Sequence, residues 1–526
     1  MFCRNSMERV SIIQTGRLGR LLHSLPALRI LREKAPGARI VLYMREAFAQ
    51  VMDFISYADK IYTLEDGGES ADGNGLLQGL KRMADAQSLQ QHVYNFADDP
   101  LAAAISGMLH SRGRTGAYRQ SGAEKTDDPG SMFCRLLGQN PYNLVHQADV
   151  TNLLTGMSPF RQVFHPVFQT DRLPDGALRA LLERRGAHPT KAWIAMALSS
   201  PHESCRWSAR AGSLLAYWLA SKLNVNVFLL GDAAAVKQAE AMQSMHPHTH
   251  VINLCGALSL TETMALLKNL QCLIAVDNDT MRLAALLRAP VLLLAMGSCA
   301  FHRHGPYGKN VRVLTPNLAC FPCPLDHRCN HRSCNQMFQP TTVFAHLLEL
   351  LDMHAGQKNA DQRLLAFRTL FKANNLLHYI PLNKIPLEAG ELKALILQHA
   401  VEHFFKVGTI SNHQDLKEIK RYYDLPFEPE LIEALMAFRV RVANLLIHLR
   451  QTSADAGGRP VSGFSDQDFP AEIAFLAPMV RREAAGERNL KPPNACWNYT
   501  LDFLHILLVK LDRAVDFIKE TIGIEI

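Results

Sequence analysis

The chain has 526 residues and a mass of 58.7 kDa, enough at roughly 150 residues per domain for about three domains. Its 48% hydrophobic and 20% charged residues are ordinary globular values that exclude general disorder and a fibrous repeat. The net charge of +7 is a mild bias that suits an anionic ligand or membrane surface, and with 8% aromatics and dispersed charge no nucleic-acid partner is expected.

No apolar run reaches the roughly 18 residues needed to span a bilayer. Residues 289–296 (APVLLLAM) have the length of a buried strand. The opening MFCRNSMERV lacks the apolar core and cleavage site of a secretory signal, and Met7 is a second candidate start just ahead of the first strand pattern. The expected location is the cytoplasm, with peripheral contact at the inner face of the cytoplasmic membrane left open.

Along the chain, β-rich runs at 10–13, 39–43, 60–64 and 92–96 are separated by helix-length segments, the first helix covering about 20–34. A second series has strands at 193–198, 226–230, 250–254, 272–276 and 290–294, with helices at 214–223, 260–270 and 280–287 between them. This alternation predicts parallel βαβ units with right-handed crossovers. The expected fold class is therefore α/β, with two Rossmann-like doubly wound domains over 7–165 and 170–350 facing a cleft. Ligands in such sheets bind at the strand C-termini, so the cleft is the expected site.

After about residue 355 the periodicity is helical without convincing strands, at 390–407, 429–450 and 497–518. It predicts an all-α domain over 358–526, with 457–468 as a loop. Its bland role is oligomerisation or partner binding, which makes a homo-oligomer one expected partner state.

Four segments sit where chemistry could occur. TGRLGRLLHSLPAL (15–28) is a strand end, a glycine turn and a helix start, where backbone N–H groups and the helix dipole can hold an anion. Arg17, Arg20 and His23 are its polar candidates; a plain βα turn explains it equally. SSPHESCRW (199–207) offers Ser199, Ser200 and Arg206 for phosphate, and its spacing matches no nucleophile elbow. VDNDTMRLAA (276–285) places Asp277, Asn278 and Arg282 at a helix start, where Asp277 or Asp279 serves either as a cap or as a ligand contact. HRHGPYGKN (302–310) is a loop suited to line the cleft.

Together with GALSL (256–260), these segments resemble glycosyltransferase family 9, the bacterial heptosyltransferases, over roughly residues 7–350. The resemblance implies the GT-B fold, an acceptor-side domain first and a donor-binding domain second. It implies heptose, or a related sugar, passing with inversion from a nucleotide-sugar such as ADP-heptose to a glycan, a lipid-linked lipopolysaccharide core or a protein. No organic cofactor is implied. Ser199, Ser200, Arg206, Leu258, Asp277, Asn278 and Arg282 would be donor-side, with Leu258 on the nucleobase; Arg17, Arg20 and His23 would be acceptor-side.

Departures from the family pattern oppose this activity. Arg20 stands where the family has its catalytic Asp, and arginine cannot act as a base at neutral pH. Cys205 replaces a lysine, and Asp279 replaces a glycine that lets phosphate approach. Asp98 and Asp99, after the fourth strand, are the candidate replacement bases, with helix capping as their structural alternative. The rival expectation is a catalytically impaired GT-B scaffold or nucleotide-sugar-binding protein.

Eleven cysteines include four in one loop, Cys320, Cys323, Cys329 and Cys334. Four thiolates can close a tetrahedral site, so a structural Zn or Fe is expected, with His327 and His331 as substitute ligands. Some relatives that glycosylate proteins hold iron in similar clusters. The histidines at 246, 248 and 250 read as a solvated loop rather than a second metal tract.

Overall fold

The computed structural model describes residues 8–64, 88–120, 123–125, 129–140, 143–156, 166–324, 329, 331–353, 363–372, 375–382, 385–386, 389–404, 423–424, 429–455, 469–476 and 495–522. The expected loop at 457–468 lies outside them.

The first unit is a five-stranded parallel sheet of β1 (Arg9–Gln14), β2 (Arg39–Arg45), β3 (Lys60–Leu64), β4 (Gln90–Asn95) and β5 (Ser111–Thr115), in the order β3-β2-β1-β4-β5. β1 is central and buries every residue after Arg9, as a strand covered on both faces must. Helix α1 (Leu18–Lys34) covers one face through Leu21, Leu22, Leu25 and Leu28. Helices α2 (Pro100–Met108), α3 (Pro129–Gln139) and α4 (Gln147–Leu153) follow.

The second unit has six parallel strands, β6 (Trp193–Ala197), β7 (Asn226–Leu230), β8 (Val251–Asn253), β9 (Cys272–Ala275), β10 (Val291–Leu294) and β11 (Val311–Pro316), ordered β8-β7-β6-β9-β10-β11. Helices α5 (Leu260–Lys268) and α6 (Asp279–Leu286) flank β9 in sequence. The strands expected in both units are present. The pattern missed β5, whose SRGRT is an almost wholly polar edge strand, and β11.

One expectation is overturned. Residues 364–381 are not helical: β12 (Leu364–Phe371) and β13 (Leu377–Pro381) form an antiparallel hairpin that extends the second sheet beyond β11. LLAFRTLF spaces its apolar residues ambiguously between the two periods, and pairing with β11 decides the outcome. Helices α7 (Ala389–Phe404), α8 (Pro429–Asp455) and α9 (Ala495–Ile522) then follow as expected. They return the chain to the first unit, where the Phe133 ring of α3 meets Phe503 of α9 edge-on at 5.0 Å.

The units are tied at a buried carboxylate. Asp149 of α4 accepts the Tyr307 hydroxyl at 2.7 Å and the Leu377 backbone N–H at 2.9 Å, joining the first unit, a loop of the second and the hairpin. Among the described residues no helix is long and apolar enough to cross a membrane.

Candidate functional site

The strand C-termini of both sheets open onto a cleft of about 680 Å³. Its walls come from the loops after β1, β6, β7 and β9, as the doubly wound geometry requires. Of the residues singled out from sequence, Arg17, Arg20, His23, Ser199, Ser200, Leu258, Asn278 and Arg282 all line it. Arg206, Asp277, Asp98 and Asp99 do not.

The two walls nearly touch at Gly19. A Cβ built there would lie 2.5 Å from the Asp279 carboxylate oxygen, which Arg282 holds in place. That oxygen is the tip of a 40% exposed side chain that can swing aside, so Gly19→Ala is expected to disturb the Asp279–Arg282 pair at a cost of under about 1 kcal/mol, measured by urea unfolding.

The segment at 277–282 is wired internally. Asn278, rather than either aspartate, caps α6: its side chain accepts the Met281 N–H at 2.9 Å and donates to the Ser199 carbonyl at 2.9 Å. Arg282 donates to Asp277 at 2.6 Å, to Asp279 at 3.0 Å and to the His304 carbonyl at 2.9 Å. Arg282, expected on the donor side, lines the cleft with its charge already neutralised by two carboxylates. The same pairing turns Asp279 away from the role of an unpaired repulsive charge.

Arg206 is likewise corrected as a cleft residue. It is exposed, and its guanidinium holds the Ser200 carbonyl through two 3.2 Å bonds. Ser199 donates to Asp232 at 2.9 Å, and Asp232 also caps the short turn at 233–235. Burial pushes the Cys205 thiol up, so it stays neutral in the place of a lysine. Glu203 pairs with Arg332 at 2.5 Å. Gly231, Asp232 and Thr263 also line the cleft and were not singled out, although the strand-end rule points to 231 and 232 as it does to 199; Thr280 and His304 line it from the segments expected there.

The two candidate bases part company. Asp99 accepts the Ala102 N–H at 2.9 Å as the cap of α2 and the Thr15 hydroxyl at 2.5 Å, so both its oxygens have structural work. Asp98 instead pairs with Arg20 at 3.3 Å, each side chain 42% exposed. It lines a second, smaller recess on the first unit, which it shares with Arg20.

In the cleft wall lies a cluster of histidines from both units. His23 and His146 rings meet edge-on at 5.0 Å, and His304 lies parallel to His23 at 6.1 Å. His146 accepts the Ala148 N–H at Nδ1 and therefore donates Nε2–H to the Gly305 carbonyl at 3.0 Å. Burial holds His146 down to about 3 and His304 down to about 2, the latter aided by Arg20 and Arg303. Burial also keeps His23 well below its ordinary value, and neither of its ring nitrogens has a partner among the described residues. All are neutral imidazoles at neutral pH.

The four cysteines are free thiols, Cys320 exposed and the other three half-buried. Cys329 Sγ lies 3.6 Å from His331 Nε2. Burial, then the neighbouring thiols of Cys320, Cys334 and Cys329, push the Cys323 thiol up. Among the described residues no group of three or more His, Cys, Asp or Glu closes a metal-sized site; 325–328 and 330, which include His327, lie outside them. The histidines at 246, 248 and 250 precede β8 in a loop, as expected.

Residues 181–331 match the model of the family described as glycosyltransferase family 9 (heptosyltransferase). No curated protein sequence matches the chain. Among solved structures, a family 9 glycosyl transferase from Veillonella parvula is 15% identical with a TM-score of 0.52, covering 66% of this chain and 98% of that one. ADP-heptose lipopolysaccharide heptosyltransferase II of E. coli is 14% identical, with a TM-score of 0.49 over 66% of this chain and 98% of its own. E. coli heptosyltransferase WaaC with ADP is 16% identical, at 0.48 over 65% and 99%. The fold is thus the two-unit GT-B arrangement, and the resemblance to glycosyltransferase family 9 holds, carried in sequence by the second α/β unit.

Proposed function

We propose that the chain is a glycosyltransferase that binds a nucleotide-sugar, ADP-heptose by its resemblance, in the cleft and transfers the sugar with inversion to a hydroxyl acceptor. The observation that carries this reading is the large cleft at the C-terminal ends of both sheets, with Gly19 of the first unit close against Asp279 of the second. The nucleotide would lie on the second unit near Leu258, and the acceptor on the first near Arg17, Arg20 and Asp98.

In the reaction the acceptor oxygen attacks the anomeric carbon as its proton passes to a carboxylate, and the C–O bond to the diphosphate breaks with the electron pair leaving on phosphate. Asp98 is the proposed base, since Asp99 is committed to capping and to Thr15. Heat of binding for ADP-heptose, with ADP, UDP and GDP alongside, tests the donor site. In a transfer assay offering glycan, lipopolysaccharide-core and protein acceptors, Asp98→Ala is expected to lower turnover by about 10²-fold or more. An unchanged rate would remove Asp98 from the mechanism.

The second reading, a catalytically impaired nucleotide-sugar-binding scaffold, draws support from the neutralised Arg282 and the neutral Cys205. Selective binding with no transfer to any acceptor class would favour it.

The remaining proposals concern organisation: an acceptor-side unit over 7–165, a donor-side unit over 170–350 that is extended by the β12–β13 hairpin, and a helical unit after that hairpin. A structural Zn or Fe at the four cysteines is supported by four thiols on one loop, and elemental analysis of the purified protein tests it. Cytoplasmic location, peripheral membrane contact and a homo-oligomer are read by fractionation, flotation with anionic vesicles and light scattering.

A further inference from the structure

Arg20 occupies a position no other charged side chain shares among the described residues: it lines both the large cleft and the smaller recess on the first unit. On the recess side it pairs with Asp98 at 3.3 Å, with both partners 42% exposed. On the cleft side it shares the lining with Gly19, Asp279, Thr280 and His202, and an anionic ligand would lie in that cleft. The other arginine deep in that wall, Arg282, is already saturated by Asp277, Asp279 and the His304 carbonyl. Arg20 is therefore a cation with one weak, half-exposed partner and an open cleft on its other side.

We propose that Arg20 is a shared cation, passed from Asp98 to the diphosphate of the donor, so that nucleotide binding releases Asp98 for the acceptor. This rests on the donor-site reading above and deepens it. Without donor, the guanidinium occupies Asp98 and neutralises it. A diphosphate carries more charge than a carboxylate and binds the planar guanidinium fork bidentately, so it outcompetes Asp98 for Arg20. Asp98 is then uncovered only when the sugar is in place. The arrangement imposes an order, donor before acceptor, and explains how an arginine can stand at this turn without blocking a neighbouring base. Arg20 is in this role a positioning residue.

The competition predicts a thermodynamic signature that needs neither acceptor nor turnover. With ADP as probe, Asp98→Asn should tighten binding by about two- to fivefold, the strength of a half-exposed ion pair no longer competing. Arg20→Ala should weaken ADP by about tenfold or more. In the Arg20→Ala background the Asp98→Asn gain should vanish, because the competition has lost its object. Arg20→Lys should restore part of the affinity and, with it, part of the gain. All five variants carry changes only at half-exposed side chains, and their melting temperatures should agree within a few degrees.

Tightening by Asp98→Asn that persists without Arg20 would overturn the hand-over, since it would reflect general charge repulsion. An Asp98→Asn affinity equal to wild type would overturn it as well. Failure of every protein to bind ADP or ADP-heptose would overturn the donor-site reading itself, and the two failures are thereby told apart.

Discussion

Melting temperature is expected to fall steeply as pH drops from about 7 toward 4, beginning near the ordinary histidine pKa and well above the carboxylate range. His146, 0% exposed, is held to about 3 by burial, and His23, 3% exposed, is held well below 6.5. In the unfolded chain both return to about 6.5. Between the two values the unfolded state binds protons that the folded state refuses, so stability is full above pH 6.5 and is lost as pH falls toward the folded pKa. At pH 5 the loss is roughly 2 kcal/mol for His146, and His23 acts in the same direction. His302 and His304, held to about 3 and about 2, act in the same direction but keep some exposure, so less is expected of them. His23→Leu removes one titration without breaking a hydrogen bond, and should flatten the Tm-against-pH curve between pH 7 and 5. A curve parallel to wild type would show that His23 titrates freely in the fold.

Arg282→Ala is expected to cost about 3 kcal/mol or more, read from urea unfolding. The side chain is 12% exposed and neutralises Asp277, itself 15% exposed, at 2.6 Å. Removing it strands a nearly buried carboxylate and frees the His304 carbonyl, the costly half of breaking a buried pair. Asp279 is 40% exposed and contributes little to the loss. Arg282→Lys should rescue poorly, because one ammonium cannot reach two carboxylates and a carbonyl from a planar fork. Pairing Arg282→Met with Asp277→Asn should recover much of the stability. If Arg282→Ala alone is neutral, the network is not what holds α6 to the loop at His304.

Much of the architecture was legible from one sequence. Strands such as β6, β7 and β9 are short apolar runs bounded by helical patterns, and local composition suffices for them. The β12–β13 hairpin was not legible, because its identity depends on an edge supplied about fifty residues earlier in the chain. For the site, position was readable and role was not. The strand-end rule placed Arg20, Ser199, Asn278 and Arg282 correctly at the cleft. What each side chain does there depends on partners distant in sequence, such as His304 for Arg282 and Thr15 for Asp99. Asp149 shows the same limit: a lone aspartate in QADVTNL looks like surface, yet its partners lie 158 and 228 residues away.

The hairpin also guards the second sheet from the solvent side. Without it, β11 would present a bare row of N–H and C=O groups, in a run of Val311, Val313 and Leu314 that is well suited to pair with another chain. A fragment ending near residue 355 keeps all six parallel strands, yet it would carry an adhesive flank and should precipitate or form ladders with itself. A fragment ending after Pro381 keeps that flank covered. It loses instead the Phe503 contact on α3, trading self-association for an exposed apolar surface on the first unit.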